Sequence, residues 1–170
     1  AVQEDPLLDK AWILITNLYF IQENYQKAAY YIAKALKIDE DNPMYWRKYA
    51  EINLKLNLFE EVVVGYENCL VLNDDDLTVY ISLTDVLVFL GDFNEALSIL
   101  FKAQKIYKNF AEIEYRLAGV FFILSKEKFA KKLLKNEHSE TAQLIYAFLL
   151  AKVYSSFQTN IYPRISEWLA

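Results

Sequence analysis

The fold of this chain is decided by the stretch Trp12–Pro43, WILITNLYFIQENYQKAAYYIAKALKIDEDNP. Two apolar segments with residues spaced at three and four are joined by a few polar residues and closed by Asp39-Glu40-Asp41-Asn42-Pro43. Thirty-four residues after Trp12 stands Trp46, and thirty-four after that stands Tyr80. The order of large and small residues returns with them. A fixed period of this length marks stacked helical hairpins, so the chain reads as successive copies of this unit.

Composition agrees. Of 170 residues, 55% are hydrophobic and 24% charged, which supplies a continuous core. Three glycines and three prolines leave few helix breakers. The 13 tyrosines and 11 phenylalanines favour strands on propensity, but the apolar spacing of three and four decides for helices. A formal net charge of −5 argues against nucleic acid as the main partner, because phosphate binding rests on clustered Lys and Arg. The lone Cys69 excludes an internal disulfide. The longest apolar runs, Leu117–Leu124 and Leu144–Ala151, fall far short of the roughly 20 residues of a membrane span. No membrane association is expected, and the N-terminal residues lack a basic-then-apolar signal. The expected compartment is the cytoplasm.

Turn signals place the helices. Asp9 is the expected cap of a helix reaching about Gln22, and Asn24 caps a second reaching about Ile38. Asn42 is an N-cap with Pro43 in the first helical position, where its missing N–H costs nothing. The next helices cover about Met44–Leu56 and Phe59–Leu72, then, after the Asp76 cap, Leu77–Leu90 and Phe93–Tyr107. Gly91 turns the chain, and Asp92 with Glu95 suggests a capping box. Ala111–Leu124, Glu127–Asn136 (with Ser125 as cap) and Glu140–Ser156 follow, and Pro163 opens a last short helix. Such short joins force antiparallel neighbours. One hairpin cannot bury its apolar stripe alone, so the copies must stack.

The pattern resembles the tetratricopeptide repeat. Counted from Asp9, the first copy has Trp12, Ile15, Thr16, Tyr19, Tyr25, Ala28, Ile32 and Ala35 at signature positions 4, 7, 8, 11, 17, 20, 24 and 27. The second has Trp46, Tyr49, Ala50, Asn53, Phe59, Val62, Tyr66 and Cys69; the third has Tyr80, Leu83, Thr84, Leu87, Phe93, Ala96, Leu100 and Ala103. A fourth keeps Leu117, Ala118, Phe121, Ala130 and Leu134 but departs at Glu114, Glu127 and Glu137. Small residues at 8, 20 and 27 let helix axes approach to about 8–10 Å, and the aromatics fill the wider gaps. The proline common at position 32 is missing from the copies.

The resemblance implies an all-α, right-handed superhelical solenoid of antiparallel hairpins, an internal piece of a longer array. Its divisions are 1–8, the end of a preceding repeat; four repeats at 9–42, 43–76, 77–110 and a degenerate 111–138; and 139–170, a degenerate fifth hairpin or capping helices. Ala1, Val2 and Pro6 fall at positions 27, 28 and 32 of a preceding copy in the same phase, although Glu4 fits poorly.

Chemistry finds little foothold. There is no G-x-x-x-x-G-K or G-x-G-x-x-G phosphate loop. With one histidine, His138, and one cysteine, neither a zinc cluster nor a Cys/His couple can be assembled. His138 reads as a loop residue and Cys69 as buried filler. Glu60-Glu61 and Asp74-Asp75-Asp76 read as helix-terminal carboxylates that complement the dipole, and the Asp run lacks the glycine and distal Glu of a calcium loop. Lys128, Lys131, Lys132 and Lys135 share a helix face, which reads as a solvated outer side. No enzyme activity, metal or cofactor is expected.

In the resembled family, partners lie in the concave groove lined by the first helix of each hairpin. Carried over by position, the groove residues are Ile13, Asn17, Phe20 and Ile21, then Arg47 and Glu51, then Ile81, Asp85 and Phe89, then Tyr115 and Phe122. Some members clamp the C-terminal carboxylate of heat-shock chaperones. Asn17 fits that pattern, but Ile13, Lys48, Thr78 and Ser82 do not, so that activity is rejected. The expected function is a non-catalytic scaffold holding a peptide or helix of a protein partner. Two alternatives are the substrate-recruiting arm of a larger enzyme and a dedicated chaperone for secreted proteins. Leu144–Ala151, apolar nearly all round, suggests homodimerisation through the C-terminal helices.

Overall fold

The computed structural model describes residues 8–108 and 110–124. Within them the chain forms seven helices and no strand: α1 (Leu8–Ile21), α2 (Tyr25–Ile38), α3 (Pro43–Lys55), α4 (Phe59–Leu72), α5 (Leu77–Leu90), α6 (Phe93–Ile106) and α7 (Ala111–Ile123). The expectations for residues 1–7, for the second helix of the fourth copy, for the basic stripe, for His138 and for 139–170 lie outside the described residues.

Side-chain caps explain three of the helix starts. The Asn24 side chain accepts from the Lys27 N–H at 3.3 Å, and the Asn42 side chain accepts from the Met44 N–H at 3.1 Å, ahead of Pro43. The Asp76 carboxylate accepts from the backbone N–H groups of Thr78 at 3.0 Å and Val79 at 3.3 Å, and from the Thr78 hydroxyl. Each satisfies donors that a helix N-terminus leaves unpaired. Two expectations need correction. Helix α1 already includes Leu8, so Asp9 lies inside it. Asp92 precedes α6 but makes no side-chain cap bond.

The turn inside each hairpin places one residue in the left-handed region: Glu23 (φ 58°), Asn57 (φ 58°) and Gly91 (φ 88°). All three hold the fifteenth place of their copy. Only glycine adopts this conformation without a Cβ penalty.

The chain divides into two compact units, Ala1–Val86 and Leu87–Ala170, with the division inside α5. In the first, α1 pairs with α2, α3 with α4, and α2 lies against α3. Its core gathers Ala28, Ile32, Ala35 and Leu36 of α2 with Tyr45 and Ile52 of α3, and Trp12, Tyr19, Tyr25, Trp46 and Tyr49 close around them. In the second unit α6 packs on α7, with Phe101 and Phe121 ring centroids 6.1 Å apart.

The small positions of the repeat are deeply buried. Thr16, Ala50, Thr84 and Ala118, then Ala28, Val62 and Ala96, then Ala35, Cys69 and Ala103 are all buried. The two threonines satisfy their hydroxyls within their own helices, donating to the Trp12 and Tyr80 carbonyls at 2.8 Å each. One close approach was not legible in the repeat pattern. A Cβ on Gly65 would lie 2.9 Å from the Ala50 Cβ and 3.1 Å from both the Ala50 nitrogen and the Trp46 oxygen. Helices α3 and α4 touch there, and only glycine fits.

Candidate functional site

Helices α1 and α3 and the start of α5 present side chains in one connected row in the first unit. The row begins at Phe20, half-buried near the end of α1, whose ring meets Tyr25 edge-on at 5.5 Å. Lys48 of α3 lies over the Phe20 ring with its Nζ 4.7 Å from the centroid. The same ammonium donates to Glu51 Oε2 at 2.8 Å, and Glu51 Oε1 accepts from Arg47 Nε at 3.2 Å. Arg47 Nη1 then reaches Asp76 Oδ2, at the N-terminus of α5, at 2.8 Å. A cation–π contact and three ion pairs thus join three elements.

The electrostatics are mutually supporting. Burial of Asp76 would raise its carboxyl pKa, but the hydrogen bonds from Thr78 and Val79 and the Arg47 charge outweigh it and hold the group below its ordinary value. Burial of Arg47 would lower its pKa, but Asp76 and Glu51 outweigh that and keep it firmly charged. Nearby Tyr49 is pushed up to about 12, first by burial and then by donating its hydroxyl to Glu61. Each charge in the row has a partner, so none bears an isolated burial penalty.

Of the residues expected to line a groove, the first unit holds eight. Ile13 and Phe20 pack partly against the core, Asn17 is half-buried, and Ile21 stands 79% exposed. Arg47 and Glu51 are brought together by their ion pair. Ile81 and Asp85, on α5, are half-buried. Phe89 and Tyr115 belong to the second unit and are also half-buried; the Phe122 side chain lies outside the description. Sequence reasoning missed two members. In the sequence Lys48 only departs from the carboxylate clamp, and Asp76 reads as a helix-terminal carboxylate in a run that fails as a calcium loop. The spacing of Arg47 and Glu51 announced their pairing. No local spacing could announce Asp76, which is 29 residues from Arg47.

Among the described residues no group of His, Cys, Asp and Glu could hold a metal ion, and no helix is long and apolar enough to cross a membrane. Cys69 is buried, as expected of filler, and burial is the first cause that pushes its thiol up.

Solved structures resemble this architecture. The crystal structure of MamA superposes with a TM-score of 0.68 at 15% identity, covering 88% of this chain and 82% of that one. The first tetratricopeptide domain of Spaghetti (RPAP3), bound to the HSP90 peptide SRMEEVD, gives 0.61 at 19% identity, covering 74% and 99%. The Yersinia enterocolitica type III secretion chaperone SycD, in complex with a peptide of the translocator YopD, gives 0.56 at 17%, covering 81% and 100%. The fold is that of the tetratricopeptide repeat. It is an all-α solenoid of antiparallel hairpins, as the 34-residue period implied. A family description, C-terminal domain 9 of the ABC-three component (ABC-3C) systems, matches residues 103–169. A search of curated proteins finds no match.

Proposed function

We propose that the face formed by α1, α3 and the start of α5 holds a peptide or helix of a partner protein, and that the chain is a non-catalytic scaffold acting in the cytoplasm. The observation that carries this is the connected row from Phe20 through Lys48, Glu51 and Arg47 to Asp76. It is fixed in place by its own ion pairs, with Ile21 exposed at one end. Prearranged side chains lose little freedom when a ligand docks, which raises affinity. An apolar anchor beside paired charges suits a segment with one hydrophobic side chain and flanking polar groups. Two tetratricopeptide structures of similar fold hold peptides, one of HSP90 and one of YopD. By repeat position Ile13, Asn17, Ile81 and Asp85 of the first unit belong to the same proposed set, and the corresponding residues of the second unit are Phe89, Tyr115 and Phe122. We infer that the array divides as 9–42, 43–76, 77–110 and a degenerate 111–138, with 1–8 as the end of a preceding repeat and 139–170 as a degenerate fifth hairpin or capping helices.

The ABC-three component match over residues 103–169 favours a second reading, in which the chain is the recruiting arm of a larger assembly. The two readings share the binding face and differ in what it serves. A photoreactive amino acid at Ile21 tests the face. Cross-linking to one protein, lost in the Phe20→Ser and Arg47→Ala variants and absent when the probe sits at Val71, is expected. Equal yields from both probe positions would overturn it.

A further inference from the structure

Every charge on helix α2 is positive. It holds Lys27, Lys34 and Lys37 and no acidic residue, whereas α4 holds Glu60, Glu61 and Glu67 and no basic one. Lys27, Tyr30, Lys34 and Lys37 recur at intervals of three and four, so they share one face. Tyr30 stands 57% exposed, Lys27 and Lys37 are exposed, and Lys34 is half-buried. Aromatic rings hold two of these lysines. Lys34 Nζ lies 4.7 Å from the ring centroids of both Trp12 and Tyr30, and Lys27 Nζ lies 5.1 Å from that of Tyr19. The rings are fixed in turn. Tyr31 stacks between Trp12 and Tyr19 at 5.5 Å on each side and meets Tyr30 edge-on at 5.2 Å.

A ring face orients an ammonium without neutralising it. Among the described residues none of Lys27, Lys34 and Lys37 is paired with a carboxylate. Lys48 differs: its ammonium also sits over a ring, that of Phe20, but it is paired with Glu51 as well. An ammonium has three donors, so a ring on one side of Lys27 or Lys34 leaves donors for a second ligand. Stacking of the hairpins leaves this face open. Lys27, Tyr30 and Lys34 hold places 19, 22 and 26 of the copy, and the second copy has Glu61, Val64 and Asn68 there. Glu61 and Val64 are exposed although α2 is packed against α3.

We propose that Lys27, Tyr30, Lys34 and Lys37 bind an acidic amphipathic helix of a partner protein. Lys27 and Lys34 stand about 10 Å apart along α2 at a rise of about 1.5 Å per residue. A helix laid alongside offers carboxylates at the same interval when they too fall two turns apart, with an apolar residue between them to meet Tyr30. Complementary charge draws such a helix to α2 and keeps it from the carboxylates of α4. The face shares no residue with the Phe20–Asp76 row, and its occupant does not depend on what that row binds.

Fluorescence anisotropy tests this, with the 170-residue chain titrated onto a fluorescein-labelled helical peptide. The peptide carries glutamates two turns apart with leucine between them, and its counterpart has glutamine in place of glutamate. The glutamate peptide is expected to bind more tightly by about tenfold or more, with the difference shrinking as salt is added. Lys27→Glu combined with Lys34→Glu should abolish that difference. Lys55→Glu combined with Lys102→Glu makes the same change of net charge at exposed places elsewhere and should leave it intact. Helical circular dichroism checks that both double variants are folded; if the first is not, Lys27→Gln with Lys37→Gln, both at exposed places, takes its part. Equal binding of the two peptides, or equal losses in the two double variants, would overturn the proposal. So would a single-stranded oligouridylate that binds more tightly than the glutamate peptide and is lost in the same variant, because the rings and lysines would then serve nucleic acid.

Discussion

Replacing Gly65 by alanine sets two effects of opposite sign against each other. Helix propensity alone favours the change by about 1 kcal/mol, because glycine in a helix interior is costly. Packing opposes it. The new methyl would stand 2.9 Å from the Ala50 Cβ and 3.1 Å from the Ala50 nitrogen and the Trp46 carbonyl oxygen, where carbon contacts prefer about 3.5–4.0 Å. Two of the three obstacles are backbone, and the third is attached directly to it, so no rotamer change relieves the clash. Helices α3 and α4 must move apart, which places the cost near the upper part of the roughly 1–3 kcal/mol range for overpacking. The expected net result is a loss of about 1–2 kcal/mol. Urea unfolding followed by helical circular dichroism measures it. The double variant Gly65→Ala with Ala50→Gly should recover only part of the loss, since the backbone contacts remain. A Gly65→Ala variant as stable as its parent or more so would refute the reasoning.

Further outcomes follow from the turns, the row and the thiol. Glu23→Gly should raise stability by about 0.5–1 kcal/mol by relieving a left-handed residue; Asn57→Gly should gain less, because asparagine tolerates that region better. Asp76→Ala should cost about 1–2 kcal/mol at pH 7 through loss of the α5 cap. The Asp76 carboxyl is held below its ordinary 3.8 in the folded chain. Its contribution is therefore present above about pH 4 and fades as pH falls through the lower folded value, so the gap between variant and parent should narrow in acid unfolding curves. Cys69 should resist aromatic disulfide reagents under native conditions and react stoichiometrically in denaturant, because it is buried and burial raises its thiol pKa.

Much of this architecture could be read from the residues because repetition turns weak local signals into a phase. Asn24, Asn42 and Asp76 declare helix starts by residue type and position, and the structure shows each accepting the expected backbone hydrogen bonds. The small places announced helix contacts because size is a property of the residue alone. Asp92 failed as a cap because capping needs a side-chain rotamer that residue type does not fix. Gly65 went unnoticed because its place in the other copies holds Tyr31 and Ile99, so no periodic signal existed. The row was half legible. Arg47 and Glu51 pair within one helix, whereas the Lys48–Phe20 and Arg47–Asp76 contacts join residues whose proximity depends on how the helices pack.

The central claim is that α1, α3 and the start of α5 share a partner-binding face. Amide hydrogen exchange of the chain, with and without a partner segment identified by cross-linking at Ile21, addresses it most directly. The account predicts added protection in the peptides covering Ile13–Ile21 and Met44–Lys55, with Glu60–Leu72 of α4 unchanged. Protection gained along α4 and absent from α1 and α3 would contradict it.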